Sequence, residues 1–163
     1  MASKLKNLSA LPKIDKSIGT KLRIGIVVSE YHSEITSALS NGCIKTLLAH
    51  GIKKKNIILK TSPGAFELPL SAKWLFQQTK ADAVICLGCV IKGDTDHDVY
   101  INHAVAQAIM QLGLKHGIPF VFGLLTTTNM DQAKARAGGK LGNKGVECAV
   151  TALKMLQMKS QIA

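Results

Sequence analysis

Gly88-Cys89-Val90-Ile91-Lys92-Gly93-Asp94-Thr95-Asp96-His97 is the stretch on which the reading of this chain turns. It closes an apolar run over 83–91 and breaks abruptly at Lys92-Gly93. Four polar residues follow, and a helical pattern begins near Val99. A continuous apolar run of that length predicts a strand buried on both faces, as in a parallel sheet. The polar cluster then lies at the strand's carboxyl edge, where open α/β sheets bind ligands. Histidine is the side chain best suited to exchanging a proton, so His97 is a candidate proton carrier as well as a candidate structural residue.

Working outward, strands and helices alternate along the whole chain. Strands are predicted over 21–29, 56–61, 83–91 and 118–125. Helices are predicted over 33–51, 66–79, 98–116, 129–137 and 146–158. Ile35, Leu39, Cys43, Ile44, Leu47 and Leu48 recur at three- and four-residue steps, and Gly51 supplies a helix stop. Pro69 is compatible with a helix only in its first turn. The alternation implies right-handed βαβ units and a parallel sheet covered on both faces. Residues 1–20 lack periodicity and contain Pro12 and Gly19, so an extended N-terminal arm is expected ahead of one domain over 21–160.

The 163 residues are 47% apolar, enough for a core in a single domain without covalent staples. Cys86 and Cys89 form a CxxC, but residues three apart on a strand point to opposite faces, which argues against a shared metal. No second CxxC completes a zinc set. The four cysteines read as buried small hydrophobes of a reduced, cytoplasmic protein. No apolar run reaches the length of a membrane span, and no signal-peptide core precedes the first strand. Formal net charge is +11, and residues 1–60 hold 11 basic against 3 acidic side chains. The lysines are scattered with almost no interleaved aromatics, so a solvated surface that favours anions is expected rather than a nucleic-acid interface.

In a parallel sheet the carboxyl ends of all strands share one edge. Four segments converge there: Glu30-Tyr31-His32, Pro63-Gly64-Ala65-Phe66-Glu67, Gly93-Asp94-Thr95-Asp96-His97 and Thr126-Thr127-Thr128-Asn129. Each has a plainer use. One of Asp94, Thr95 and Asp96 is expected to cap the following helix, and exposed amides at that start also hold phosphate. Glu67 suits a helix start, Tyr31 a core, and Arg136 an exposed helix face. The glycines at 138, 139, 142 and 145 lack the spacing and the Ser/Thr of a phosphate-binding P-loop.

Several motifs resemble the lumazine synthases in order and spacing. They are Pro63-Gly64-Ala65-Phe66-Glu67-Leu68-Pro69, Leu87 through His97, Pro119-Phe120-Val121-Phe122-Gly123-Leu124-Leu125-Thr126, Gln132 through Gly138, and Asn143 through Ala149. The resemblance runs from about Leu22 to Met158. It implies a flavodoxin-like three-layer sandwich with a four-stranded parallel sheet. It implies condensation of 5-amino-6-ribitylaminouracil with 3,4-dihydroxy-2-butanone 4-phosphate to 6,7-dimethyl-8-ribityllumazine, the riboflavin precursor, with no cofactor and no metal. It implies a homopentamer whose sites lie between neighbouring subunits, and no nucleic-acid or membrane partner. The short Gly138-to-Gly145 connection and the N-terminal arm favour a 60-subunit icosahedral shell of twelve pentamers.

By matching position, the resemblance implies that His97 moves protons and that Arg136 holds the phosphate. Gly93, Asp94 and Thr95 would receive the same phosphate. Tyr31 would stack on the pyrimidine, and Cys89, Val90 and Ile91 would meet it from the strand end. Ala65, Phe66 and Glu67 would hold the ribityl chain with His32. Phe122, Lys140 and Arg136 would come from the neighbouring subunit. Three positions depart from the pattern. His32 stands for a common Asn, and Asp98-Val99 for an aromatic followed by an acid. Lys92 stands for an arginine, which keeps the charge without the planar fork. These departures motivate the alternative of a non-catalytic flavin- or lumazine-binding shell with the same fold.

Overall fold

The computed structural model describes residues 21–162. The expected arm over 1–20 lies outside the described residues. Four parallel strands are present: β1 (Ile24–Ser29), β2 (Ile57–Ser62), β3 (Ala83–Ile91) and β4 (Phe120–Thr127). They stand in the order β2-β1-β3-β4. Five helices accompany them: α1 (Ser33–Ala49), α2 (Leu68–Thr79), α3 (His97–His116), α4 (Met130–Arg136) and α5 (Lys144–Ile162). The register pairs Ile24 with Ile57 and Ala83, and Val84 with Phe120, so the carboxyl ends line up along one edge.

The sheet separates two apolar clusters. Ile24, Ile26, Val28, Ile85 and Leu87 face α1 and α5, whose Leu39, Cys43, Leu47, Ala149 and Leu153 pack against them. Val27, Val84 and Cys86 face α2 and α3, against Leu68, Ala72, Leu75, Val105 and Ile109. This is the expected three-layer α/β sandwich. Every residue of β1 is buried, as two-sided coverage requires. Cys86 and Cys89 belong to opposite clusters, as the two-residue strand period demands.

The boundaries differ from the sequence reading in physically simple ways. β4 begins at Phe120, because Pro119 has no N–H to give the ladder; its carbonyl instead accepts from Val84 N at 2.9 Å. Asn129 caps α4 from outside it, its side chain accepting from Gln132 N at 2.9 Å. The glycine-rich segment holds a small antiparallel pair, β5 (Ala137–Gly139) and β6 (Gly142–Asn143), which the sequence reading did not predict. α5 starts at Lys144 and runs to Ile162, longer than expected at both ends. Asn143 explains the early start. Its Oδ1 accepts from Gly145 N at 2.8 Å, and its Nδ2 donates to the Ala38 carbonyl at 3.0 Å. One side chain thus begins α5 and ties it to α1. Gly145 lets the two helices touch, since a Cβ there would collide with the Leu39 carbonyl.

Candidate active site

Three of the four strand-end segments meet in one cavity of about 490 Å³. Tyr31, His32, Ala65, Phe66, Glu67, Cys89, Val90, Ile91 and His97 line it, together with Gly64 and Ile101. The size suits a small-molecule site. Each wall follows from local structure. β1 ends at Ser29, and the chain turns through Tyr31 and His32 into α1. His32 adopts the left-handed region, φ 55 and ψ 53, a conformation that histidine tolerates better than branched residues. Its carbonyl starts the helix by accepting from Ile35 N and Thr36 N at 2.9 and 3.0 Å. Its ring makes no capping bond and remains open to the cavity.

The second wall is the turn after β2. Ser62 is buried, its carbonyl accepting from Glu30 N at 3.0 Å and its hydroxyl lying 3.0 Å from Ser71 Oγ. Those bonds fix the start of the turn against α2. A Cβ on Gly64 would stand 2.7 Å from Glu67 Oε2 and 3.8 Å from the Tyr31 ring. Gly64 therefore leaves the room into which the Glu67 carboxylate folds, beside an aromatic face. Glu67 occupies the N-cap position of α2 without a side-chain cap bond, so its oxygens are left for another donor. Pro69 falls in the first turn of that helix, as its missing N–H requires.

The third wall is the end of β3 and the start of α3. Lys92 N donates to the Thr127 carbonyl at 2.8 Å, which holds the end of β3 against β4. His97 is the first residue of α3 and is exposed, and among the described residues its ring makes no hydrogen bond or ion pair. The expected side-chain cap is absent. Asp96 stands at the N-cap position, but only its backbone carbonyl serves the helix, accepting from Val99 N at 3.0 Å. Asp94 and Thr95 do not cap either; with Gly93 they are exposed in the connection, outside the cavity lining. Cys89 is 2% exposed, and burial pushes its thiol up to about 11. It is a neutral wall atom, not a nucleophile, near pH 7.

The remaining expected residues lie elsewhere on the chain. Phe122 lines a separate apolar groove of about 740 Å³ between α3 and α5, with Lys144 and Cys148. Lys140 is exposed in the turn between β5 and β6. Arg136 ends α4, where its Nη1 donates to the Leu141 carbonyl at 2.8 Å and its Nη2 to Glu147 Oε2 at 3.0 Å. Lys144 Nζ lies 3.3 Å from the same carboxylate. The sequence reading included Lys144 and Glu147 in the Asn143-to-Ala149 motif but gave neither a role in the site. An i,i+3 Lys–Glu pair in a helix start is common, and only the burial of the acid sets this one apart.

One cavity thus gathers an aromatic face, a carboxylate, a strand end and a free imidazole, with the expected phosphate arginine outside it. The family model described as 6,7-dimethyl-8-ribityllumazine synthase matches residues 21–160. The chain belongs to that family. A 6,7-dimethyl-8-ribityllumazine synthase of Bacteroides fragilis is 52% identical over 135 residues, covering 83% of this chain and 94% of its own. One from Cytophaga hutchinsonii is 51% identical over 156 residues, covering 96% and 98%. One from Phocaeicola vulgatus is 46% identical over 162 residues, covering 99% and 96%. The lumazine synthase match spans both sheets and the five α-helices, apart from the last residues of α5. Among the described residues no group of three or more His, Cys, Asp or Glu side chains could hold a metal ion, and no helix is long and apolar enough to cross a membrane.

Proposed function

We propose that this chain condenses 5-amino-6-ribitylaminouracil with 3,4-dihydroxy-2-butanone 4-phosphate, giving 6,7-dimethyl-8-ribityllumazine, phosphate and water. This is the penultimate step of riboflavin synthesis, carried out in the cytoplasm by a transferase that uses no cofactor. The observation that carries the reading is the cavity joining Tyr31, Glu67, the end of β3 and His97 in a chain of this family. Tyr31 stacks on the pyrimidine, and the backbone of 89–91 meets its polar edge. Glu67, the turn at Ala65 and Phe66, and His32 hold the ribityl hydroxyls; a carboxylate and an imidazole both accept from them. Two reactants held face to face gain most of their rate from orientation. His97 carries protons through imine formation, phosphate loss and ring closure. The amides of 93–95 and the Arg136 guanidinium receive the phosphate and stabilise it as it leaves. An added Cβ at Gly93 would meet nothing within 4 Å, which is consistent with room for an incoming anion.

Arg136, Phe122 and Lys140 reach this site from a neighbouring copy in this reading. Two different apolar faces support a contact between copies. One is the groove between α3 and α5. The other is formed by Phe66 in the turn before α2 and by Leu70 and Trp74 on α2, all three exposed. Unlike faces make a head-to-tail contact, the kind that forms a ring when the rotation between copies closes. The domain over 21–160 then assembles as a homopentamer, and with the arm over 1–20 as a shell of twelve pentamers. Sedimentation of the intact protein checks the assembly, and a particle of one pentamer's mass would refute the shell. Mixing the protein with both substrates is expected to give lumazine absorbance with one phosphate released per product. Tight product binding without turnover would replace the enzyme by a binding shell.

A further inference from the structure

We infer that Glu147 is a positioning residue for the phosphate arginine, an inference that rests on the function proposed above and assigns a role to a side chain outside the set named there. Glu147 sits in the first turn of α5, where a negative charge is favoured by the helix dipole. Its side chain is 7% exposed, and a carboxylate so buried needs partners. Its partners are two cations. Arg136 Nη2 lies 3.0 Å from Oε2, in hydrogen-bond geometry, and 2.9 Å from Oε1. Lys144 Nζ lies 3.3 Å from Oε2. Oε1 itself is in no hydrogen bond among the described residues, so it acts on Arg136 through charge alone.

The consequence falls on the guanidinium. A free arginine side chain samples many rotamers, and its planar fork recognises an oxyanion only when the plane is fixed. Here Nη1 is held by the Leu141 carbonyl at 2.8 Å and Nη2 by Glu147. Those two bonds come from different elements, the β5–β6 turn and α5, and together they lock the plane. They use two of the five N–H donors and leave three for an anion. Glu147 offsets one of the two neighbouring charges, so what it gives phosphate binding is the order of the guanidinium and not added attraction.

The test is E147Q, which keeps the shape and removes the charge. The KM for the phosphorylated substrate is expected to rise about tenfold, while the KM for the ribitylaminouracil stays within about twofold. In an R136A background E147Q should then add less than about twofold, because a residue acting through Arg136 has nothing left to act on. Equal rises in both KM values, or a full E147Q effect without Arg136, would overturn the inference. Should E147Q fail to assemble, E147D keeps the charge and withdraws the oxygens by one carbon; an unchanged KM for the phosphorylated substrate would then overturn it. If the unaltered protein makes no product, the reaction assignment fails separately. Calorimetric titration with inorganic phosphate then decides the point alone: E147Q should bind about tenfold more weakly than the unaltered protein, and equal binding would overturn the role.

Discussion

At the scale of single residues, the division of labour proposed for His97 and Arg136 makes separable predictions. In that reaction, replacing His97 removes a proton carrier without touching the phosphate pocket. H97N should lower kcat by about a hundredfold and leave the KM for the phosphorylated substrate nearly unchanged. R136A should raise that KM strongly, and R136K should recover only part of it, because an ammonium lacks the planar fork. Steady-state rates over both substrate concentrations check all three variants. The thiols give a prediction of another kind. Burial pushes Cys86 and Cys148 up to about 12, and Cys43 far above the usual thiol range. In the unfolded chain a thiol ionises near 8.5. A raised folded value contributes stability that is whole below about pH 8 and is lost as pH climbs through 8.5 toward the folded value, by about 1.4 kcal/mol per pH unit for each thiol. Urea midpoints between pH 8 and 10 should therefore fall less steeply in C86A than in the unaltered protein.

At the scale of elements, legibility tracked how local the cause was. Alternating apolar runs disclosed the four strands of the parallel sheet and the five α-helices, because burial on both faces imposes a regular pattern. The carboxyl-edge cavity was legible for the same reason: parallel topology alone sends Tyr31, Glu67 and His97 to one side. The β5–β6 pair was not legible, since a Gly-rich segment has little side-chain pattern to show. The side-chain cap expected from one of Asp94, Thr95 and Asp96 is absent although good capping residue types are present, because the helix begins with backbone bonds only. The Glu147 pairing was hidden because it depends on how α4, β6 and α5 fold back on each other. The α1–α5 contact yields its own prediction. G145A places a methyl against the Leu39 carbonyl and must push the helices apart, which costs about 1–3 kcal/mol by analogy with overpacking. N143A loses the bonds that start α5, at about 1 kcal/mol plus the tie to Ala38. Chemical denaturation measures both.

At the scale of the whole molecule, the chain looks unfinished alone. Tyr31 is 70% exposed at the cavity mouth, although a stacking ring in a working site should be covered. The groove between α3 and α5 exposes Met110 and Leu114. A patch of that kind marks an interaction surface. L114K puts a charge into it and should shift the particle toward free chains in light scattering, with activity lost in parallel. Loss of association with activity intact would separate the assembly from the chemistry. The central claim is that His97 of one copy works with Arg136 of another. Co-expression of H97A and R136A tests it most directly, since each variant alone lacks one half of every site. Random co-assembly should restore about one quarter of the sites, because each site draws its two halves from different copies. Lumazine formation by the mixed particles at that level is the predicted result; mixed particles no more active than either variant alone would contradict it.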